Sequence, residues 1–150
     1  MPLSRWPALA AWLGVGEVLY KDGAMHFGLG LFKSLGGAYA VLKLVAGKCT
    51  SDKLQSDITV TTATDGHHGR SVAWGHQLAS CKEVIYIYSK VSGARETALR
   101  QLGTKVVRVD GHYEASLAAC KHDAETHGWQ VVSDTSWPSY SKVPLQVMAG

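Results

Sequence analysis

Four short runs of β-branched and aromatic residues recur along the chain: Ile58-Thr-Val-Thr-Thr62, Val84-Ile-Tyr-Ile-Tyr88, Lys105-Val-Val-Arg-Val109 and Trp129-Gln-Val-Val132. Runs of this length and make-up predict strands. The segments between them, Gly69 to Ser80, Ala94 to Leu102 and Tyr113 to His127, have helical length and alanine-rich faces. Strands alternating with helices at this spacing predict right-handed crossovers, hence an α/β fold on a parallel sheet with βα repeats. Gly103 and Gly128 stand where two of these helices should stop, because a residue just past a helix end often takes the left-handed conformation that glycine tolerates.

The first third of the chain reads differently. Val18-Leu-Tyr-Lys21 predicts one more strand, and Phe27-Gly-Leu-Gly-Leu-Phe-Lys-Ser-Leu-Gly-Gly-Ala-Tyr-Ala40 is an apolar, glycine-rich run leading into a helix from about Phe32 to Ala46. Phe32, Leu35, Tyr39, Leu42 and Ala46 share one face of that helix and are its expected core side. Lys33, Gly36, Gly37 and Ala40 fall at i, i+3, i+4 and i+7, a second stripe of very small residues headed by a cation. Glycines in a helix interior cost about 1 kcal/mol each, so something must approach that stripe closely, as a tightly packed helix would. Residues 47–57 predict a surface connection and Ser136 to Pro144 an irregular loop, after which a new apolar pattern begins. The expected organisation is an N-terminal portion, 1–57, carrying the lysine helix, a βαβ region, 58–135, and the start of a further return, 136–150.

Composition narrows the class of protein. With 46% apolar and 18% charged residues in 150, the chain is expected to fold as a globular unit. Its net charge of +3, from 15 basic and 12 acidic residues, is spread out, without the basic block of a nucleic-acid binder. No run approaches the roughly 20 apolar residues of a membrane span. The opening Met1 to Gly14 has one arginine before an apolar stretch, but the stretch is short and interrupted by Pro7. Cys49, Cys81 and Cys120 are odd in number and widely spaced, which suggests neither a disulfide framework nor a zinc site and favours a cytoplasmic setting.

Three places carry candidate chemistry. Lys33 is a cation in apolar surroundings, where it either snorkels to water or is held desolvated as a nucleophilic amine. Thr61-Thr-Ala-Thr-Asp-Gly-His-His-Gly69 follows a predicted strand and enters a helix, a turn that aims backbone N–H groups at one point and suits a carboxylate or phosphate. Within it Asp65 is either the helix N-cap or a proton acceptor. His67 and His68 are adjacent and diverge on a helix, and His122 and His127 are five apart, so neither pair predicts a metal site. Asp134 follows the last predicted strand, at the sheet edge where ligands bind in parallel α/β folds.

In this order, Phe27 to Tyr39, Thr62 to Trp74 and Val131-Val-Ser-Asp-Thr-Ser-Trp137 resemble the tryptophan-synthase-β-like, fold type II, pyridoxal-phosphate enzymes. The likeness is strongest to the ammonia-lyases that eliminate 2,3-diaminopropionate, and it runs over nearly the whole chain. It implies the small domain of such an enzyme with part of the large one, truncated before the glycine-rich loop that binds the cofactor phosphate. It further implies that Lys33 forms a Schiff base with pyridoxal 5'-phosphate, with Lys33 and Asp65 as bases toward the substrate Cα and Asp134 as a second acidic group. Thr64, Asp65, Gly66 and His68 would meet a small amino-acid substrate, and His67 would stand beside the cofactor's 3-hydroxyl, where the family usually has asparagine. Lys21 to Phe27 also departs from the family pattern, affecting Gly23 and His26. The resemblance implies a homodimer for the full-length family, without nucleic acid, membrane or metal. Serine or threonine dehydratases, cysteine-synthase-like proteins and a family fragment without activity are the alternatives.

Overall fold

The βα alternation runs from Thr59 onward much as the pattern of apolar residues predicts, and a small two-stranded motif, of which the sequence predicts one strand, precedes it. The structure is a computed structural model that describes residues 2–23, 26–30, 33–50 and 54–150. The chain divides into two compact units, Met1–Phe32 and Lys33–Gly150. Met1, Ala24, Met25, Leu31 and Phe32 of the segments read above, and residues 51–53 of the surface connection, lie outside the described residues.

In the first unit, strand β1 (Leu3–Arg5) pairs antiparallel with strand β2 (Leu19–Lys21), Arg5 opposite Leu19. Helix α1 (Pro7–Leu13) lies between them in sequence. Pro7 opens the helix, where its missing N–H is no loss, and Gly14 closes it at φ 65°. The predicted strand at Val18 to Lys21 is therefore present, with β1 as its partner.

The second unit is built on a four-stranded parallel sheet. Helix α2 (Ser34–Lys48) precedes strand β3 (Thr59–Ala63), helix α3 (His67–Ala79), strand β4 (Lys82–Tyr88), helix α4 (Gly93–Gln101), strand β5 (Lys105–Val109), helix α5 (Tyr113–His127), strand β6 (Gln130–Val131) and helix α6 (Lys142–Ala149). The strand order is β5-β4-β3-β6, with Thr61 beside Val84 on one flank and Val131 on the other. The chain thus steps outward from β3 through β4 to β5, then returns to the opposite side of β3. This reversal makes a switch point between β3 and β6, and parallel sheets bind ligands outside the carboxyl ends of their strands at such points.

Alternation along β4 distributes its side chains to two cores. Ile85 and Ile87 join Ala73, Leu99 and Val106, while Val84 and Tyr86 join Ala63 and Cys120 of α5. Gly128 ends α5 in the left-handed region and Gly103 follows α4 at φ 79°, as the sequence predicts. Helix α6 occupies what reads as an irregular loop and a new apolar pattern; Pro144 is accommodated in its first turn, where a proline removes no helical hydrogen bond.

Helix α2 reverses the expected core face. Leu35, Tyr39 and Leu42 are 37–40% exposed and Ala46 is exposed, whereas Ser34, Gly36, Gly37, Ala38, Ala40, Val41 and Val45 are buried. The reason is backbone proximity. A methyl group added at Gly37 would lie 2.7 Å from Ser71 Oγ, one at Gly75 would lie 2.7 Å from Ala38 Cα, and one at Gly36 would meet the Val147 carbonyl. Large side chains cannot occupy a seam this narrow. The small-residue stripe therefore serves close packing against α3 and α6, not the approach of a flat ligand.

Opposite outcomes are expected from two glycine substitutions in these helices. Gly75→Ala should lower stability by about 1–3 kcal/mol through overpacking. Gly47→Ala, at a position with open space around it, should raise stability by roughly 0.5–1 kcal/mol through helix propensity. Urea unfolding midpoints at constant slope measure both, and a Gly75→Ala midpoint at or above wild type would refute the close-packing account.

Candidate active site

The switch point carries a cleft of about 310 Å³ lined by Thr64, Asp65, His68, Tyr88, Tyr113, Asp134 and Thr135 among others. Its size is at the lower end for small-molecule sites, about 300–1,000 Å³. Every lining residue ends or follows a strand or opens the next helix, which is why residues far apart in sequence meet there.

The turn after β3 is organised by Thr64. Its buried Oγ1 accepts hydrogen bonds from Gly66 N and Gly69 N, each 3.0 Å away, and so satisfies one of the helix-start donors that the ladder leaves open. Gly66 is the N-cap of α3 and sits at φ 144°, ψ −55°, backbone angles that favour glycine. The cap alternative for Asp65 is thereby removed: Gly66, not Asp65, occupies the N-cap position, and Asp65 is exposed at the cleft. The expectation that Thr64 and Gly66 offer their donors outward needs correction, because the Gly66 N–H is already bound to Thr64. The side of the turn left for a ligand is the Asp65 carboxylate and the first N–H groups of α3.

His67 is exposed and His68 buried at the start of α3. His68 Nε2 lies 2.8 Å from the Val132 carbonyl oxygen, so that nitrogen carries the proton and donates. Burial is the largest influence on the ring and lowers its pKa, against an opposing pull from Asp134. The imidazole is therefore neutral and ties α3 to the end of β6.

Asp134 is held by the segment that follows β6. The Tyr140 hydroxyl donates to the Val131 carbonyl at 2.8 Å and accepts from Ser133 N at 2.9 Å, and Ser133 Oγ accepts from Thr135 N at 3.1 Å. Burial pushes the Tyr140 hydroxyl up to about 12, which keeps it a donor. Asp134 is not a helix cap; its Oδ2 stands 3.5 Å from Lys33 Nζ. Burial and then the Asp134 charge hold the Tyr113 hydroxyl above the usual phenol range.

Lys33 occupies the N-cap position of α2, and its side chain is 48% exposed. The picture of a desolvated amine on the glycine stripe is therefore wrong: the stripe is covered by α3 and α6, and the ammonium reaches Asp134 at the cleft instead. A pair this exposed contributes little stability, about 0–1 kcal/mol. Its consequence is placement of an accessible amine beside a carboxylate.

The structure thus brings Lys33, Thr64, Asp65, Gly66, His68 and Asp134 to one edge of the sheet, with His67 exposed beside them. Sequence reasoning missed Tyr88, Tyr113 and Thr135, although all follow or flank strand ends at the ligand-binding edge. It also missed Arg95, whose Nη1 donates to the Asp65 carbonyl at 3.0 Å, and Tyr140; no local pattern marks either.

The site thus sets an accessible lysine beside a carboxylate at the switch point of a parallel sheet in an α/β protein. The chain belongs to the family of pyridoxal-phosphate dependent enzymes, which it matches over residues 1–148, and its fold is that of fold type II. It is 36% identical over 160 residues to diaminopropionate ammonia-lyase of Escherichia coli strain K12, an alignment covering 99% of this chain and 40% of that relative. The crystal structure of the Escherichia coli enzyme in apo form matches with a TM-score of 0.89 at 36% identity, over 98% of this chain and 43% of that one. Its complex with D-serine matches with a TM-score of 0.87 at 35% identity, over 99% and 41%. The chain therefore spans about 40% of the length of the curated relative it matches. Among the described residues, no helix is long and apolar enough to cross a membrane.

The buried His68 makes a prediction about pH. Its folded pKa lies below the ordinary 6.5, so the unfolded chain takes up the proton first and stability falls as pH drops below 6.5. His68→Gln, whose amide can still donate to Val132, should flatten that loss between 6.5 and about 5. Urea midpoints across this range measure it; equal slopes in both proteins would refute a neutral, buried His68.

Proposed function

We propose that this chain carries the lysine-bearing, substrate-facing part of a pyridoxal-phosphate lyase that converts 2,3-diaminopropionate to pyruvate and ammonia. The observation that carries the reading is the Lys33–Asp134 pair, 3.5 Å apart, at a cleft that Asp65 enters from the neighbouring loop. The residues present fit the cofactor's reactive end: the Lys33 amine is open to solvent and stands on the cleft side of α2, where a carbonyl group can reach it. Lys33 would hold the cofactor covalently through Nζ, with His67 bonding its ring hydroxyl. When bound, pyridoxal phosphate supplies an electron sink for negative charge formed at the amino acid's Cα.

The protein's own groups supply binding and proton transfer. Two carboxylates, Asp65 and Asp134, make the cleft attractive to a substrate carrying two ammonium groups. The first N–H groups of α3, at the positive end of the helix dipole, suit its carboxylate, and His68 as a neutral ring shapes the floor without adding charge. Lys33 and Asp65 act as two bases toward Cα, which would admit both enantiomers; the D-serine complex of the Escherichia coli relative supports acceptance of a D-amino acid. Asp134 holds the Lys33 ammonium and assists departure of the β-nitrogen as ammonia, and hydrolysis then gives pyruvate and a second ammonia. A cytoplasmic homodimer acting in amino-acid catabolism, without nucleic acid, goes with this reading and with the dispersed charge of the chain.

The purified chain mixed with pyridoxal phosphate should develop a visible absorbance band that Lys33→Ala abolishes. Pyruvate should form faster from 2,3-diaminopropionate than from serine or threonine, and Asp65→Asn should lower its kcat by about 10²–10⁴-fold while keeping the band. No Lys33-dependent band would mark the chain as a family member without the chemistry. Faster release from serine or threonine would favour a dehydratase.

A further inference from the structure

Asp65 acts from an exposed turn whose next residue is glycine, and glycine leaves the intervening peptide free to rotate. Yet this one peptide group is bonded at both ends. Its N–H, that of Gly66, donates to Thr64 Oγ1 at 3.0 Å, and its C=O, that of Asp65, accepts from Arg95 Nη1 at 3.0 Å. The aliphatic stem of Arg95 also closes over the turn: a methyl group at Gly66 would lie 3.2 Å from Arg95 Cδ.

The arginine is itself on a firm base. Its backbone N–H bonds the Ser92 hydroxyl that caps α4. The next residue, Glu96, binds Arg108, and the Arg108 guanidinium collects the carbonyls of Tyr88, Ser89 and Val91 from the loop that leads into α4. A planar guanidinium with several fixed donors can tie a loop in this way where a lysine could not. Helix α4 is thereby a platform from which Arg95 reaches across to the turn after β3.

We infer that Arg95 is a positioning residue for Asp65: it locks the Asp65–Gly66 peptide in the one orientation that lets Thr64 hold its N–H and presents the Asp65 carboxylate to the cleft. Without that lock the peptide rotates, the Gly66 N–H leaves Thr64, and the carboxylate loses its fixed direction. The kinetic consequence rests on the lyase reading proposed above; the structural one does not.

Arg95→Met keeps the stem against Gly66 and removes the donors, and Arg95→Lys restores a charge and one donor group. Amide hydrogen exchange in the full chain should show Gly66 exchanging about tenfold faster in Arg95→Met, with the sheet-bonded Val132 unchanged, and intermediate in Arg95→Lys. In the cofactor-loaded chain, Arg95→Met should lower kcat for pyruvate release about tenfold with KM within about twofold and the absorbance band intact, and Arg95→Lys should recover part of it. Gly66 exchange equal to wild type in Arg95→Met would overturn the inference. A wild-type chain that releases no pyruvate would count against the lyase reading alone, and the exchange measurement would still decide the role of Arg95.

Discussion

The close approach of α2 to α3 is the constraint on which the site depends. The two helices run in the same direction, with Gly37 against Ser71 and Ala38 and Val41 against Gly75, and side chains larger than these would force them apart. At the start of this seam the Ser71 hydroxyl donates to the Ser34 carbonyl at 2.7 Å and accepts from Ala38 N at 3.1 Å. Those two groups are four residues apart, the partners of an ordinary helical hydrogen bond, so the hydroxyl from α3 bridges the first turn of α2. Lys33 is the residue immediately before that turn. The register of one helix against the other thereby sets where the amine begins.

Sheet topology supplies the second half of the geometry. Because β6 returns to the far side of β3, the loops after these two strands lie side by side, and Asp65 and Asp134 face one cleft. His68 reinforces the juxtaposition by bonding the carbonyl of Val132, which joins the helix after one strand to the end of the other. Tyr140 then fixes the path of the chain between Val131 and Ser133. A neutral imidazole and a phenol held in its protonated form suit these structural bonds, since neither brings an unpaired charge into a site that already contains two carboxylates.

The strands were readable because β-branched residues cluster in short runs, and their alternation with alanine-rich helices leaves few topologies. Asp65 and Asp134 were readable for the same reason, as each directly follows such a run. Helix α2 was misread because it carries two apolar stripes. Leu35, Tyr39 and Leu42 carry the larger side chains, but burial follows the stripe that permits the shorter helix-to-helix distance, a property of the partner α3 that no pattern within α2 displays. Of the two alternatives the sequence leaves open for Lys33, the solvated one holds, because the buried stripe of α2 begins after the lysine, with Ser34, Gly36 and Gly37, while the lysine side chain is 48% exposed. Arg95 and Tyr140 act through backbone carbonyls and N–H groups of other segments, and such bonds leave no signature in spacing or composition.

A division of labour follows from these contacts. The side chains assigned to chemistry, Lys33 and Asp65, are exposed, while the backbone beside each is fixed by a polar side chain from a different element: Ser71 at the start of α2, and Thr64 with Arg95 at the turn after β3. Fixing a backbone while leaving its side chain accessible reconciles two demands that otherwise conflict. A reacting group must be reachable by a ligand, yet its origin must be constrained so that little orientational freedom is left to lose when the ligand arrives. Burying the lysine would have met only the second demand. The arrangement seen here meets both, through the hydroxyls of Ser71 and Thr64 and the guanidinium of Arg95, which hold backbone groups rather than the reacting side chains.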